Sequence, residues 1–69
     1  MQYAVVFEKS GNGYAAYVPD LPGCVAAART RREVESLIES AIREHLDLMR
    51  EYGYTIPKPT TWVHQVEVA

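Results

Sequence analysis

The sequence predicts an α+β domain in the order β-β-β-α-β, in which one long helix packs on one face of an antiparallel sheet. Two runs rich in Val, Tyr and Phe flank a glycine-rich turn at residues 11–13, which indicates a hairpin. A Pro-Gly corner follows at residues 22–23, and further on the apolar residues recur with helical spacing. The strands are expected at about residues 2–8, 14–18, 24–28 and 61–68, and the helix at about 31–52.

Two registers fit the first hairpin. An Asn12-Gly13 turn of type I′ pairs Phe7 with Val18, whereas a four-residue loop pairs Phe7 with Ala16. Both registers give the same two faces, because side chains alternate along a strand. The bulkier face, which is the better seat for the helix, carries Tyr3, Val5, Phe7, Tyr14, Ala16 and Val18. The second face carries Ala4, Val6, Ala15 and Tyr17.

The second face is still largely apolar, whereas a solvated face would alternate to polar residues. One helix covers one face, so the other is expected to meet another chain. A chain of 69 residues also has a small core and no disulfide to reinforce it, which makes an isolated monomer marginally stable. We therefore expect a dimer or higher homo-oligomer. The simpler alternative is a modest exposed patch of Ala and Tyr.

The helix has a recognisable beginning and end. Thr30 and Glu33 form a capping-box pattern, which is expected to satisfy two backbone amides. Gly53 suits the position just after the last turn. Residues 54–59 contain two prolines and form a stiff, extended linker. The strand beyond the linker either returns to its own sheet or pairs with a neighbour's, which would intertwine a dimer.

Composition narrows the function classes. The net charge of −2 is small and of the wrong sign for a protein that binds nucleic acid by neutralising phosphates. The chain has one cysteine, no signal peptide and no apolar run approaching about 18 residues. These features favour a cytoplasmic protein without disulfides.

No constellation of side chains indicates catalysis, a cofactor or a metal site. Cys24 follows a turn and is expected to be a small buried thiol rather than a nucleophile. His45 lies in the apolar arc of the helix and His64 on the Trp62/Val66 face of the last strand, so both are expected to be packed, neutral imidazoles. The spacing of the two histidines and the cysteine is not that of a metal site. Three arginines near the helix start are either solvated or a binding surface: Arg29, Arg31 and Arg32.

A hairpin that ends in Val-Pro-Asp-Leu-Pro-Gly-Cys at residues 18–24, followed by a short strand, a Thr-capped helix and a last strand, resembles the HicB-like antitoxin family. The matching segments are residues 3–8, 13–14 and 17–24, with the helix start at Thr30. The resemblance implies a partial ribonuclease-H-like fold that binds and occludes a small HicA-type ribonuclease toxin. Many members also carry a C-terminal DNA-binding domain, which is expected to be absent here because the chain stops at residue 69. Direct DNA binding is therefore not expected.

The resemblance and the apolar second face together place the expected partner contacts at the sheet edge or that second face, and at the corner formed by residues 19–23. The candidate residues are Tyr17, Pro19, Asp20, Leu21, Pro22, Ala15 and Val6. The alternative is an orphan HicB-like module that mediates protein interaction or assembly and has no toxin. Nuclease activity is not expected, because the strands supply only Glu8 and Glu67 as carboxylates, at or near strand ends.

Overall fold

The computed structural model describes residues 1–69 as a three-stranded antiparallel sheet followed by one helix. The sheet order is β1-β2-β3, and both pairs of neighbours are antiparallel. The predicted α+β class is therefore confirmed. The elements are β1 (Val6–Ser10), β2 (Gly13–Tyr17), β3 (Val25–Ala28) and α1 (Arg31–Glu51).

The first hairpin adopts the register in which Phe7 pairs with Ala16. The turn itself is one residue earlier than the expected Asn12-Gly13 pair: it comprises Gly11 and Asn12, and Gly11 carries the positive φ of 58°. Type II′ turns require glycine at that first central position. Gly13 belongs to β2 instead, where a Cβ atom would lie 2.5 Å from the carbonyl oxygen of Ala28.

β1 begins four residues later than the predicted 2–8, because β2 offers no partner to the earlier residues. Val6 pairs with Tyr17, and hydrogen-bonded pairs alternate along an antiparallel ladder. The next hydrogen-bonded pair would join Ala4 to Pro19, which has no N–H to donate. The proline therefore ends the ladder and leaves residues 1–5 outside the sheet.

The corner, which we define as Pro19–Gly23, connects β2 to β3 through a predicted type II turn. The Cys24 amide donates to the Leu21 carbonyl at 3.0 Å across Pro22 and Gly23, and the φ of Gly23 is 84°. The Val18 amide also donates to the Cys24 carbonyl, at 3.2 Å. These bonds close the corner, and Leu21 within it is buried in the core.

α1 begins and ends within one residue of its predicted limits. The Thr30 hydroxyl accepts from the Glu33 amide at 3.1 Å, and the Glu33 carboxylate accepts from that hydroxyl at 2.9 Å. The reciprocal bond to the Thr30 amide is not made, so the cap satisfies one backbone amide rather than the expected two. At the other end, the Gly53 and Tyr54 amides donate to the last helical carbonyls, with Gly53 at a φ of 73°.

The core lies between the helix and two of the three strands. α1 packs against β2 and β3, whereas no Cα atom of β1 comes within 8 Å of a Cα atom of α1. Small residues on the strands let Val34 and Ile38 approach the sheet closely. Six residues are buried, and all are apolar: Ala16, Val18, Leu21, Cys24, Val34 and Ile38.

The C-terminal residues do not form a strand within the chain. The tail, which we define as Thr61–Ala69, has no ladder partner and is exposed along its whole length. A strand needs a partner for its amides and carbonyls. The strand expected at 61–68 is therefore not formed within this chain, and its pairing with another chain stays a prediction. The chain has no helix whose length and apolar character would let it span a bilayer.

Candidate protein-binding surface

The sheet has an uncovered side opposite the helix, which we call the reverse face. The registers of both strand pairs place Val6, Tyr17 and Val25 in one row across the three strands. Tyr17 is 41% exposed and Val25 is 64% exposed. The next row of the same face, towards the hairpin, consists of Glu8, Ala15 and Ala27. The expected apolar second face is thus present, with Val25 as a member that the sequence did not indicate.

The corner joins Tyr17 of β2 to Val25 of β3 through Val18 and Cys24, and its residues differ in accessibility. Pro22 is exposed, whereas Pro19 and Asp20 are partly buried. Leu21 is only 1% exposed and belongs to the core, so its side chain is not accessible to a partner. The corner therefore offers its two prolines for contact, while Leu21 holds the corner in place.

Asp20 binds the C-terminal segment of its own chain. Its carboxylate accepts four hydrogen bonds from two consecutive threonines. The amides of Thr60 and Thr61 donate at 3.0 Å each, and their hydroxyls donate at 2.9 Å each. The four donors match the acceptor capacity of one ionised carboxylate. We call this arrangement the clamp, because it fixes the point at which the tail leaves the domain.

The clamp also changes the acidity of Asp20. Hydrogen bonds to the ionised form, chiefly from the Thr61 amide, lower the pKa of Asp20 below its ordinary value, while partial desolvation opposes the change. Asp20 is therefore ionised at neutral pH. A second tie lies nearby, where the Tyr3 hydroxyl donates to the Pro57 carbonyl oxygen. Both ties hold residues 57–61 against the body of the protein.

A second uncovered region lies between β1 and α1, and we call it the trough. It arises because the helix sits over β2 and β3 only. One groove lies towards the hairpin and is lined by Phe7, Glu8, Lys9, Tyr14, Arg31, Val34 and Glu35. Another lies towards the chain's N-terminus and is lined by Met1, Gln2, Tyr3, Val5, Glu39, Ile42, Arg43 and Leu46. Apolar residues of strand and helix thus face each other across an unfilled space.

The side chains with reactive or titratable groups are dispersed. Cys24 is a free, buried thiol, as expected, and burial raises its pKa, so the unreactive protonated form prevails at neutral pH. His45 is partly buried on α1, whereas His64 lies exposed in the tail, contrary to the expected packing. The three arginines near the helix start are exposed. No three of the His, Cys, Asp and Glu side chains come together as a potential set of metal ligands.

The chain has clear relatives. It is 34% identical over 59 residues to a UPF0150 protein of Thermoplasma acidophilum, and the matched residues cover 84% of this chain and 86% of that protein. It is 35% identical over 65 residues to a UPF0150 protein of Helicobacter pylori, and the matched residues cover 93% of this chain and 90% of that protein. An uncharacterised 14.9 kDa protein from the rep-hol intergenic region of Haemophilus phage HP1 is 38% identical over 58 residues, which are 84% of this chain and 44% of the phage protein.

The family comparison covers almost the whole molecule. The chain matches the HicB-like antitoxins of bacterial toxin–antitoxin systems over residues 3–68. This range includes the segment before β1, the whole sheet, α1 and nearly all of the tail. The resemblance first suggested by the hairpin and its Pro-Gly corner is thereby confirmed, and the chain belongs to the HicB-like antitoxin family.

Proposed function

We propose that this protein binds a HicA-type ribonuclease toxin and inhibits it by steric occlusion, without catalysing a reaction. Membership of an antitoxin family supports a toxin partner in general terms. The observation that carries the specific proposal is the reverse face, where Tyr17 and Val25 remain exposed side by side. Exposed apolar surface of this kind on a small protein marks a site of protein contact.

The chemistry of the reverse face suits an inhibitor. Tyr17 lies on the central strand and is flanked by Val6 on one side and Val25 on the other. An aromatic residue surrounded by aliphatic ones is the common composition of an energetic centre in protein interfaces. The exposed Pro22, in the corner between β2 and β3, adds an apolar ring with a fixed φ. A rigid patch loses little conformational freedom on binding.

Charge supports the same pairing. A ribonuclease must present positive side chains to the phosphates of its substrate. This chain carries a net charge of −2, and Glu8 lies within the reverse face. Attraction between the two proteins would speed their association and orient the antitoxin towards the RNA-binding side of the toxin. Occlusion at that side blocks substrate access, and it takes place in the cytoplasm, where the RNA substrate is.

The test is inhibition of RNA cleavage by a purified HicA-type toxin. We expect the full chain to suppress cleavage at about equimolar concentration. Tyr17→Glu places a charge in the centre of the reverse face, and should weaken inhibition at least about tenfold, because burying an uncompensated charge in an interface costs several kcal/mol. Tyr52→Glu is the matched control, since Tyr52 is 68% exposed at the end of α1. It should inhibit as the wild type does.

The outcomes separate the proposal from its alternative. Equal inhibition by Tyr17→Glu and Tyr52→Glu would move the toxin contact away from the reverse face. Cleavage that continues in the presence of excess wild-type chain would contradict the inhibitor role and favour the alternative, an orphan HicB-like assembly module. Under either role we propose that the protein acts as an assembly of identical copies.

A further inference from the structure

We propose that the tail is a fourth strand that pairs with β1 of a second copy of this chain, so that two copies exchange tails. Each copy would fill the other's trough. The proposal concerns how the protein associates with itself and does not depend on the existence of a toxin. It rests on four features: an unsatisfied tail, an uncovered strand edge, a match between the two, and an excess of exposed surface.

The tail has the composition of a buried strand and none of the contacts. Residues 62–69 make no hydrogen bond to the rest of the chain. Trp62 is 82% exposed, Val66 is 72% exposed and Val68 is 83% exposed. β-Branched and aromatic residues in alternation are typical of a strand with one packed face. A segment of this composition is stabilised only when its apolar side chains and its backbone polar groups find partners.

β1 is an edge strand of the sheet, and no strand lies on its outer side. In a two-residue hairpin Ser10 and Gly13 form a hydrogen-bonded pair, and the pairs then alternate. The backbone groups of Val6 and Glu8 therefore point to β2, whereas those of Phe7 and Lys9 point outward. This edge is open, and α1 does not cover it. An edge of this kind is a template for another strand.

The tail matches the trough in polarity and in length. A strand added beside β1 directs alternate side chains under α1, where Phe7 and Val34 line the groove alongside β1. If the strand continues past Val6, it reaches the second groove, which Ile42 and Leu46 line. One face of the expected tail strand carries Trp62, His64, Val66 and Val68, and the other face carries Val63, Gln65 and Glu67. Eight residues of strand span about 26 Å, which is enough to run the whole length of β1.

The exposed surface has the magnitude that a dimer needs. The chain exposes 5697 Å², whereas a compact monomer of 7.8 kDa would expose about 4,400 Å². The excess of roughly 1,300 Å² exceeds the 800 Å² or so that each partner buries in a stable interface of standard size. The radius of gyration, 13.5 Å against about 11 Å for a compact chain of this length, leads to the same conclusion.

A second copy is the occupant that the geometry favours. The clamp and the Tyr3–Pro57 bond fix the start of the tail on the body of its own chain, and no tail residue lines that chain's trough. Two copies related by a two-fold axis each offer one tail and one trough, so a single interface satisfies both. The exchange closes the assembly and removes the open β1 edges.

The test compares the full chain with a variant whose tail cannot pair. Adjacent residues of a strand direct their amides to opposite sides, so Gln65→Pro combined with Val66→Pro removes one amide that pairing requires, whichever phase is used. Ala69→Pro is the matched control, because it adds a proline beyond the expected strand at 61–68. Light scattering on a sizing column is expected to give at least twice 7.8 kDa for the wild type and for Ala69→Pro, and 7.8 kDa for the double variant.

Hydrogen exchange on the same samples identifies the edge that is used. The Phe7 and Lys9 amides should exchange at least about 100-fold more slowly in the wild type than in the double variant. The helical circular-dichroism signal should be the same in both, since α1 is held on the sheet by core residues that all lie outside the tail. A wild type that is monomeric at 500 µM overturns the proposal. So does a double variant that keeps the wild-type mass, or a pair of β1 amides that exchange equally fast in both proteins.

Discussion

Asp20 connects two parts of the chain that are 40 residues apart. Its local setting, between two prolines in a turn, is typical of an ordinary turn aspartate. Nothing in the sequence around Thr60 and Thr61 marks them as its donors, so the clamp could not be predicted. The Pro22-Gly23 turn could be predicted, because its conformation depends on the chemistry of those two residues alone. The conformation of the turn could thus be predicted from its own residues, whereas the hydrogen bonds between Asp20 and the two distant threonines could not.

The pH dependence of the clamp follows from the direction of the Asp20 pKa. Because this pKa is lowered in the folded chain, the stabilisation is fully present above the pKa of an unfolded aspartate and is lost as the pH falls through the folded value. We expect the amide chemical shifts of Thr60 and Thr61 to be constant from pH 7 to about 4.5, and to change only below the ordinary aspartate pKa of about 3.9. Two-dimensional nitrogen–proton spectra measure this directly.

Two variants control the pH titration. Asp20→Asn should abolish the acid transition of both threonine amides, since an uncharged amide oxygen replaces the carboxylate. Asp47→Asn should leave it intact, because Asp47 is an exposed aspartate that pairs only with Arg50 on α1. A midpoint at or above the ordinary aspartate value would contradict the role assigned to the four hydrogen bonds.

At the scale of elements, each prediction succeeded where the sequence contains its own boundary signal. α1 lies between Thr30 and Gly53, which end the helix by hydrogen bonding and by a positive φ. The hairpin turn was displaced by one residue, because two glycines compete for the positive φ and the sequence does not say that Gly13 lies against β3. The start of β1 was also misplaced, since it depends on where the neighbouring strand stops.

Gly13→Ala tests the close approach of two strands. A Cβ atom there would lie 2.5 Å from the Ala28 carbonyl oxygen, which is backbone and cannot move aside without shifting β3. We expect a loss of about 1–3 kcal/mol in the free energy of unfolding, the usual cost of forcing an extra group into a packed site. Urea denaturation measures it. Ser10→Ala, at the cross-strand partner, should change stability by less than about 0.5 kcal/mol. A wild-type stability for Gly13→Ala would show that the strands separate freely.

At the scale of the whole molecule, the two faces of the sheet were predictable and the lateral position of the helix was not. Alternation along β1 and β2 determines which side chains share a face. Whether α1 lies centrally or to one side depends on side-chain volumes on three strands at once. The structure places it over β2 and β3, which leaves the trough beside β1. The candidate contacts on the reverse face follow from alternation, whereas the trough does not.

Thermal unfolding should depend on protein concentration if association and folding are coupled. For two copies that exchange tails, a hundredfold increase in concentration is expected to raise the Tm by about 5–10 °C. Differential scanning calorimetry between about 5 and 500 µM measures the change. The Gln65→Pro, Val66→Pro double variant should show a Tm that does not vary with concentration. A constant Tm for the wild type would argue that the tails are free.

The seat of the helix is made of alanines: Ala16 is buried beneath it, and Ala26 and Ala28 pack against the same core. Methyl groups set how closely α1 approaches the sheet and how far it leans towards the vacant strand position. A bulkier residue at any of the three would lift or tilt the helix and reshape the opening beside β1. Evolution can therefore retune which polypeptide fits this protein without replacing a single residue that touches it.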